Sequence, residues 1–152
     1  MNKQFRDLQL QQIDDQLATW KTLQLSPHPR SGWVRAIRES LGMTATAFAR
    51  RLGMPYAGVS KLETAEASDA ITLASLRKLA EALVCELQYA LVPRTSLKQH
   101  IHDRAEVVAR ERLQPIVHSM ALEDQAVQGS LNKLQLDLVV KELIEGSHRE
   151  LW

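Results

Sequence analysis

The chain has 152 residues, of which 45% are hydrophobic, 24% charged and 5% aromatic, and it contains one cysteine. This composition fits a folded protein and excludes wholesale disorder, an intrachain disulfide and a zinc site built from cysteines. Because no stretch approaches the roughly 18 apolar residues of a membrane span, and the first residues lack the apolar run of a signal peptide, we expect a cytoplasmic protein.

The net charge of +1 is distributed unevenly along the chain. Residues 30–61 contain six basic residues and one acidic residue, which gives this stretch a local charge of +5. The segments on its C-terminal side, residues 62–95 and 96–152, are each negative by two charges. A cationic block of this kind indicates contact with a polyanion, or else a solvated helical face.

Five helices are predicted in the first half of the chain. The first, in residues 1–25, is amphipathic and ends at the linker 26–32, because each proline there disfavours helix in the preceding residue. Four short helices follow, separated by Gly42, Gly53 and a polar run. Their predicted bounds are Gly32–Leu41, Thr44–Leu52, Pro55–Thr64 and Thr72–Val84, with Thr44 as an N-cap.

A short strand is predicted at residues 85–93, where Glu86 and Gln88 alternate with Leu87, Tyr89 and Leu91. A single strand is not stable alone, so we expect it to pair with the same strand of a second subunit across a two-fold axis. The chain would then be a homodimer. Cys85, at the start of this strand, is expected to be a buried small hydrophobe.

Residues 96–152 are predicted to form a C-terminal helical region. Pro115 should kink or split its first helix, residues 128–130 should form a turn, and a last helix should end near Gly146. The expected fold class is therefore mainly all-α, with one short β-strand and flanking N- and C-terminal helices.

The most informative pattern lies in residues 34–66. Ala49 and Gly53 are small residues four apart, as two crossing helices need where their backbones approach. Apolar residues at matching positions would close a shared core: Phe48, Leu52, Met54, Val59 and Leu62. The remaining face is slender and polar, of the kind that enters a DNA major groove, and carries Thr44, Tyr56, Ala57, Ser60 and Lys61.

Residues 37–63 resemble the helix-turn-helix of the Cro and C1 repressors, with small, glycine, apolar and terminal glutamate positions in register. The resemblance covers residues 34–84 and implies a helix-turn-helix DNA-binding domain of that type within residues 31–84. In that family an arginine of the first helix pairs with the glutamate that closes the recognition helix. Arg38 and Glu63 occupy these positions, which implies a structural ion pair.

The same resemblance assigns Tyr56, Ala57 and Lys61 to base edges, because lysine can donate to guanine and an alanine methyl can contact the methyl group of thymine. The other candidates would face phosphate or solvent: Thr44, Ser60, Thr64, Arg35, Arg50 and Arg51.

Most of the chain also resembles the family called mobile mystery protein A, which is found in mobile elements beside a partner protein with a Fic domain. The resemblance lies in residues 32–38, 86–93 and 118–125. It implies an operon regulator, and an antitoxin role is compatible with it.

A weaker sequence signal suggests inhibition of a Fic-domain partner. Inhibitors of Fic enzymes share a helical motif in which Ser or Thr is followed four residues later by Glu, and Ser119 and Glu123 have this spacing. Asp124 departs from the Gly or Asn that follows in the motif. The alternative is an ordinary solvated pair on a helix surface.

Catalysis and metal binding are not expected. His100 and His102 would point in different directions on a helix, and no third ligand is suitably spaced. The chain has no glycine-rich phosphate loop, no nucleophile elbow and no evident carboxylate pair, so we predict no enzyme activity and no cofactor.

Two hypotheses follow. In the first, the chain is a sequence-specific dimer that binds a double-stranded DNA operator and represses its own mobile-element or toxin–antitoxin-like operon. In the second, it is an antitoxin-like protein-binding module that silences a partner Fic-domain enzyme.

Overall fold

The computed structural model describes residues 2–23, 25–120 and 128–152, and it is mainly helical, which confirms the all-α prediction. Its helices are α1 (Lys3–Thr22), α2 (Trp33–Ser40), α3 (Ala45–Leu52), α4 (Tyr56–Ala67), α5 (Leu73–Ala82), α6 (Leu97–Met120) and α7 (Gln128–Glu145), followed by a 3₁₀ turn at Arg149–Leu151. None of the helices in these ranges is both long and apolar enough to cross a membrane.

The chain forms two compact units. The central unit is Gln24–Ala90, and the terminal unit combines Met1–Leu23 with Leu91–Trp152. The core of the central unit consists of Val34, Phe48, Ala49, Val59, Leu79 and Leu83. The core of the terminal unit consists of Ala105, Val108, Ala109, Val140, Leu143 and Leu151.

Polar contacts join the separate chain segments of the terminal unit. The carboxylate of Asp14 in α1 accepts hydrogen bonds from the backbone N–H of Leu97, at 2.7 Å, and of Lys98, at 3.2 Å. These are the first two residues of α6, whose N–H groups have no partner within the helix. A negative charge is also favourable at a helix N-terminus, so Asp14 attaches α1 to α6.

Pro115 does not split the predicted C-terminal helix, because α6 continues through it from Leu97 to Met120. Proline removes one hydrogen bond to the carbonyl four residues earlier, here Glu111. Both Pro115 and Glu111 are exposed, so water can replace the missing donor. The predicted turn at residues 128–130 is also wrong, since these residues form the first turn of α7.

The expected short strand at residues 85–93 is not formed in the single chain, where this segment has neither helix nor strand structure. One strand has no partner for a ladder, so its pairing with a second subunit stays a prediction. The expectation for Cys85 is wrong, because its side chain is exposed. After the buried Leu83, Val84 adopts a positive φ of 58°, and the backbone N–H of Cys85 donates to the carbonyl of Ala80 at the end of α5.

Candidate nucleic-acid interface

Helices α3 and α4 are held against each other by a buried core and a tight turn. Phe48 of α3 and Val59 of α4 are fully buried, and the backbone N–H of Met54 donates to the carbonyl of Ala49 across the turn. Gly53 ends α3 in the left-handed region, with a φ of 66°. A Cβ atom at Gly53 would meet nothing within 4 Å, so the turn conformation, and not the expected close helix contact, requires this glycine.

The side chain of Thr44 begins α3. Its hydroxyl oxygen accepts a hydrogen bond from the backbone N–H of Ala47 at 3.1 Å, which is the geometry of an N-cap. Thr44 is exposed, and Ala45 and Thr46 follow it in the first turn of the helix. The N-terminus of α3 therefore presents backbone N–H groups and a hydroxyl to solvent.

The structure joins Arg38 of α2 to Glu63 of α4 in a buried, bidentate ion pair. The Nε of Arg38 donates to Oε1 of Glu63 at 2.6 Å, and Nη2 donates to Oε2 at 3.1 Å. The third guanidinium nitrogen donates to the carbonyl of Met43 at 2.8 Å. The hydrogen bond to Glu63 raises the pKa of Arg38 above its usual value, and each of the two residues is only 7% exposed. The pair fixes the rotation of α4 relative to α2.

A second buried carboxylate, Glu66, was not identified from the sequence. It accepts hydrogen bonds from the backbone N–H of Trp33 at 2.8 Å and of Val34 at 2.9 Å, so it caps α2 from the last turn of α4. Gly32, at the N-cap of α2, supplies no side chain for this purpose. This contact explains why α4 continues to Ala67, three residues beyond its predicted end at Thr64.

The sequence contained one signal for the Glu66 contact. Val59, Glu63 and Glu66 are three to four residues apart and therefore lie on one face of α4, which is the buried face. A carboxylate on a buried face needs donors, and the N-terminus of a neighbouring helix supplies them.

The opposite face of α4 is exposed and carries the candidate DNA-contacting residues. Tyr56, Ala57, Ser60, Lys61 and Thr64 follow one another at intervals of one, three, one and three residues, and all five are exposed. Tyr56 is 58% exposed. The structure thus collects these five side chains on one stripe of α4, which we call the α4 stripe.

The basic candidates differ in their surroundings. Arg50 and Arg51 lie in the last turn of α3 and are exposed. Arg35 donates from Nε to Glu39 at 2.8 Å on the surface of α2, a hydrogen bond that raises the pKa of Arg35 and lowers that of Glu39. Within the described ranges, no carboxylate oxygen lies within 4.0 Å of the charged nitrogens of the other exposed cations of residues 30–61, which are Arg30, Arg50, Arg51 and Lys61.

The residues singled out for partner inhibition are described only in part. Ser119 belongs to helix α6, and Glu123 lies outside the described residues. The suggestion that this pair inhibits a Fic enzyme therefore stays a prediction. No group of three or more His, Cys, Asp or Glu side chains that could hold a metal occurs in the described part of the chain.

Residues 34–89 match a family model described as a helix-turn-helix. No curated protein and no solved structure matches the chain significantly. The matched range begins one residue inside α2 and includes α3, α4 and α5, so it contains the Arg38–Glu63 pair and the whole α4 stripe. The match therefore supports a helix-turn-helix in residues 34–89, a motif that serves DNA binding.

Proposed function

We propose that the chain is a sequence-specific transcriptional regulator that represses its own operon as a homodimer. The observation that carries the proposal is that α4 has one buried face and one exposed, mainly polar face. Its buried face is fixed by the Arg38–Glu63 pair, and its exposed stripe is short, polar and free of acidic residues. A rigid helix with such a stripe fits the width of a DNA major groove.

Within the α4 stripe, Tyr56, Ala57 and Lys61 are the proposed base readers. Lys61 can donate to the acceptors of guanine, and the methyl group of Ala57 can contact that of thymine. The remaining candidates are proposed to hold phosphate, which positions the helix without reading sequence. These are Thr44, Ser60, Thr64, Arg50 and Arg51, with Arg35 contacting phosphate only if its bond to Glu39 opens.

Two copies are proposed to bind two half-sites. In a dimer with two-fold symmetry the recognition helices enter successive major grooves, so the half-sites should lie about one helical turn, roughly 34 Å, apart or a multiple of that distance. The resemblance to mobile mystery protein A supports an operon in a mobile element or a toxin–antitoxin-like pair.

The first experiment is a fluorescence titration of the full chain with DNA from upstream of its own gene, with random DNA as competitor, at two salt concentrations. Specific binding that resists competitor and weakens with salt, with a log–log slope near −0.9 per phosphate contact, supports the proposal. Equal, weak binding to both DNAs would overturn it and favour the hypothesis of a protein that silences a Fic-domain partner.

Lys61→Ala tests the base-reading assignment in the same titration. We expect a loss of about 1–3 kcal/mol on the operator and little change on random DNA. Lys78→Ala, an exposed lysine of α5, is the matched control and should leave the operator affinity unchanged. Equal losses for Lys61→Ala on both DNAs would make Lys61 a phosphate contact.

A further inference from the structure

The segment from Glu86 to Pro93 has an unpaired backbone, whereas the carbonyl of Arg94, which follows it, accepts a hydrogen bond from Nζ of Lys21 at 3.1 Å. Residues 86–93 take part in none of the backbone hydrogen bonds that the described residues form outside their helices, and none of them lies in a helix. Consecutive N–H and C=O groups without partners are unfavourable unless solvated, and they form a template on which another extended chain can pair.

The side chains of this segment differ between its two faces. Leu87, Tyr89 and Leu91 are apolar and would share one face of an extended chain, whereas Glu86, Gln88 and Arg94 would lie on the other, together with the small or apolar Ala90 and Val92. Leu87 is half-buried, whereas Tyr89 is 57% exposed and Leu91 is 86% exposed. An apolar row this exposed, on a backbone that lacks partners, is the edge that proteins normally cover.

We propose that residues 86–94 pair antiparallel with the same residues of a second copy, about a two-fold axis at Ala90. The inference rests on the dimer of the proposed function and adds its interface and register. Charge complementarity supports a second copy of the chain as the partner. With the axis at Ala90, Glu86 faces Arg94 of the second copy and Arg94 faces Glu86, so each end of the ladder holds an opposite-charge pair.

Other registers lose this complementarity. The apolar residues of both copies share a face only if the axis passes through a residue and not between two. Moving the axis to Gln88 places Glu86 opposite Ala90, and moving it to Tyr89 places Glu86 opposite Val92. Glu86 and Arg94 are both exposed, and neither belongs to an ion pair among the described residues, so both are available to a partner.

Pro93 fixes which residue pairs exchange hydrogen bonds. Opposed residues of an antiparallel ladder alternate between hydrogen-bonded and non-hydrogen-bonded pairs, and proline cannot donate. Pro93 faces Leu87 of the second copy and must occupy a non-hydrogen-bonded pair. Ala90 and its symmetry mate then form a hydrogen-bonded pair, and Tyr89 faces Leu91 in the closer, non-hydrogen-bonded spacing, which favours aromatic and aliphatic contact.

Cysteine cross-linking tests the register. In a Cys85→Ser background, Ala90→Cys places two thiols on Cα atoms about 5.5 Å apart, within the range of a disulfide. Gln88→Cys is the matched control, because its symmetry mate would lie four residues away, or about 13 Å. Mild oxidation should convert the Ala90→Cys chain, but not the Gln88→Cys chain, to a covalent dimer. Cross-linking of both variants to the same extent, or of Gln88→Cys alone, would overturn the register.

Charge reversal tests the pairing without a covalent bond. Glu86→Arg and Arg94→Glu should each raise the dimer dissociation constant by about 3- to 30-fold in sedimentation equilibrium, since each dimer contains two such contacts. The double variant should return to within about 3-fold of the original value. Single variants without effect, or a double variant as weak as the two losses combined, would exclude the contact.

The two proposals fail in different ways. A chain that binds its operator as a dimer but fails both pairing tests would overturn this interface only. A chain that cross-links at Ala90→Cys and responds to charge reversal, but does not distinguish its operator from random DNA, would overturn the proposed function only.

Discussion

Arg38 and Glu63 form a buried ion pair, and removing one of them would leave the charge of the other unpaired. Both are buried, and each satisfies the charge of the other. Glu63→Ala leaves a buried guanidinium whose remaining partners are the carbonyl of Met43 and, at 3.8 Å, the exposed carboxylate of Glu39, so we expect a loss of about 3–5 kcal/mol in the free energy of unfolding. Urea denaturation monitored by circular dichroism measures this change.

Two comparisons make this prediction specific. Glu81→Ala, which removes an exposed carboxylate from α5, should change the free energy of unfolding by no more than about 0.5 kcal/mol. Replacing both members of the buried pair, as Arg38→Met with Glu63→Leu, should recover most of the loss because no unpaired charge remains. An unchanged thermal midpoint for Glu63→Ala would count against the pair.

The surface pair of Arg35 and Glu39 should be visible as a pH effect. The hydrogen bond from Arg35 holds the pKa of Glu39 below its ordinary value in the folded state. Its stabilisation is therefore fully present above the pKa of the unfolded chain and disappears as the pH falls through the folded-state pKa. The stability difference between the original chain and Arg35→Ala should shrink on acidification. A difference that grows towards low pH would contradict this assignment.

Helix α2 depends on a cap supplied from α4. Gly32 has a φ of 83° and a ψ of 160°, and a Cβ atom there would lie 2.8 Å from the Oε2 of Glu66. Gly32→Ala should therefore combine backbone strain with displacement of the cap, for a loss of about 2–4 kcal/mol. Gly53→Ala, whose Cβ meets nothing within 4 Å, should lose only about 1–2 kcal/mol from strain. Equal losses in chemical denaturation would show that the Glu66 cap contributes little.

Local signals predicted the helices of the central unit well, because these helices begin and end at residues with one conformational role. Thr44 and Gly53 bound α3 as expected. The end of α4 could not be predicted in this way, because the partner of Glu66 is the start of α2, more than 30 residues earlier in the chain. The passage of α6 through Pro115 was missed for a related reason: exposure to solvent, which makes the proline tolerable, is a tertiary property.

Counting charges along the sequence located the cationic region but overstated the charge available to DNA. The count of residues 30–61 includes Arg38, which is buried in its pair, and Arg35, which is bonded to Glu39. Sequence distance cannot reveal a pairing such as that of Arg38 with Glu63, which are 25 residues apart. The resemblance to Cro and C1 repressors implied this pair, whereas composition alone did not.

The proposed dimeric binding makes a prediction about the operator as well as the chain. Once the protected site is mapped by footprinting, inserting five base pairs between its half-sites turns them to opposite sides of the duplex. One dimer then cannot engage both, and the dissociation constant should rise by about 100-fold or more as the second contact loses its effective concentration. Replacing five base pairs of the spacer without changing its length is the control and should preserve the affinity. If the inserted and original operators bind equally, each half-site is read by an independent monomer and the dimer has no part in recognition.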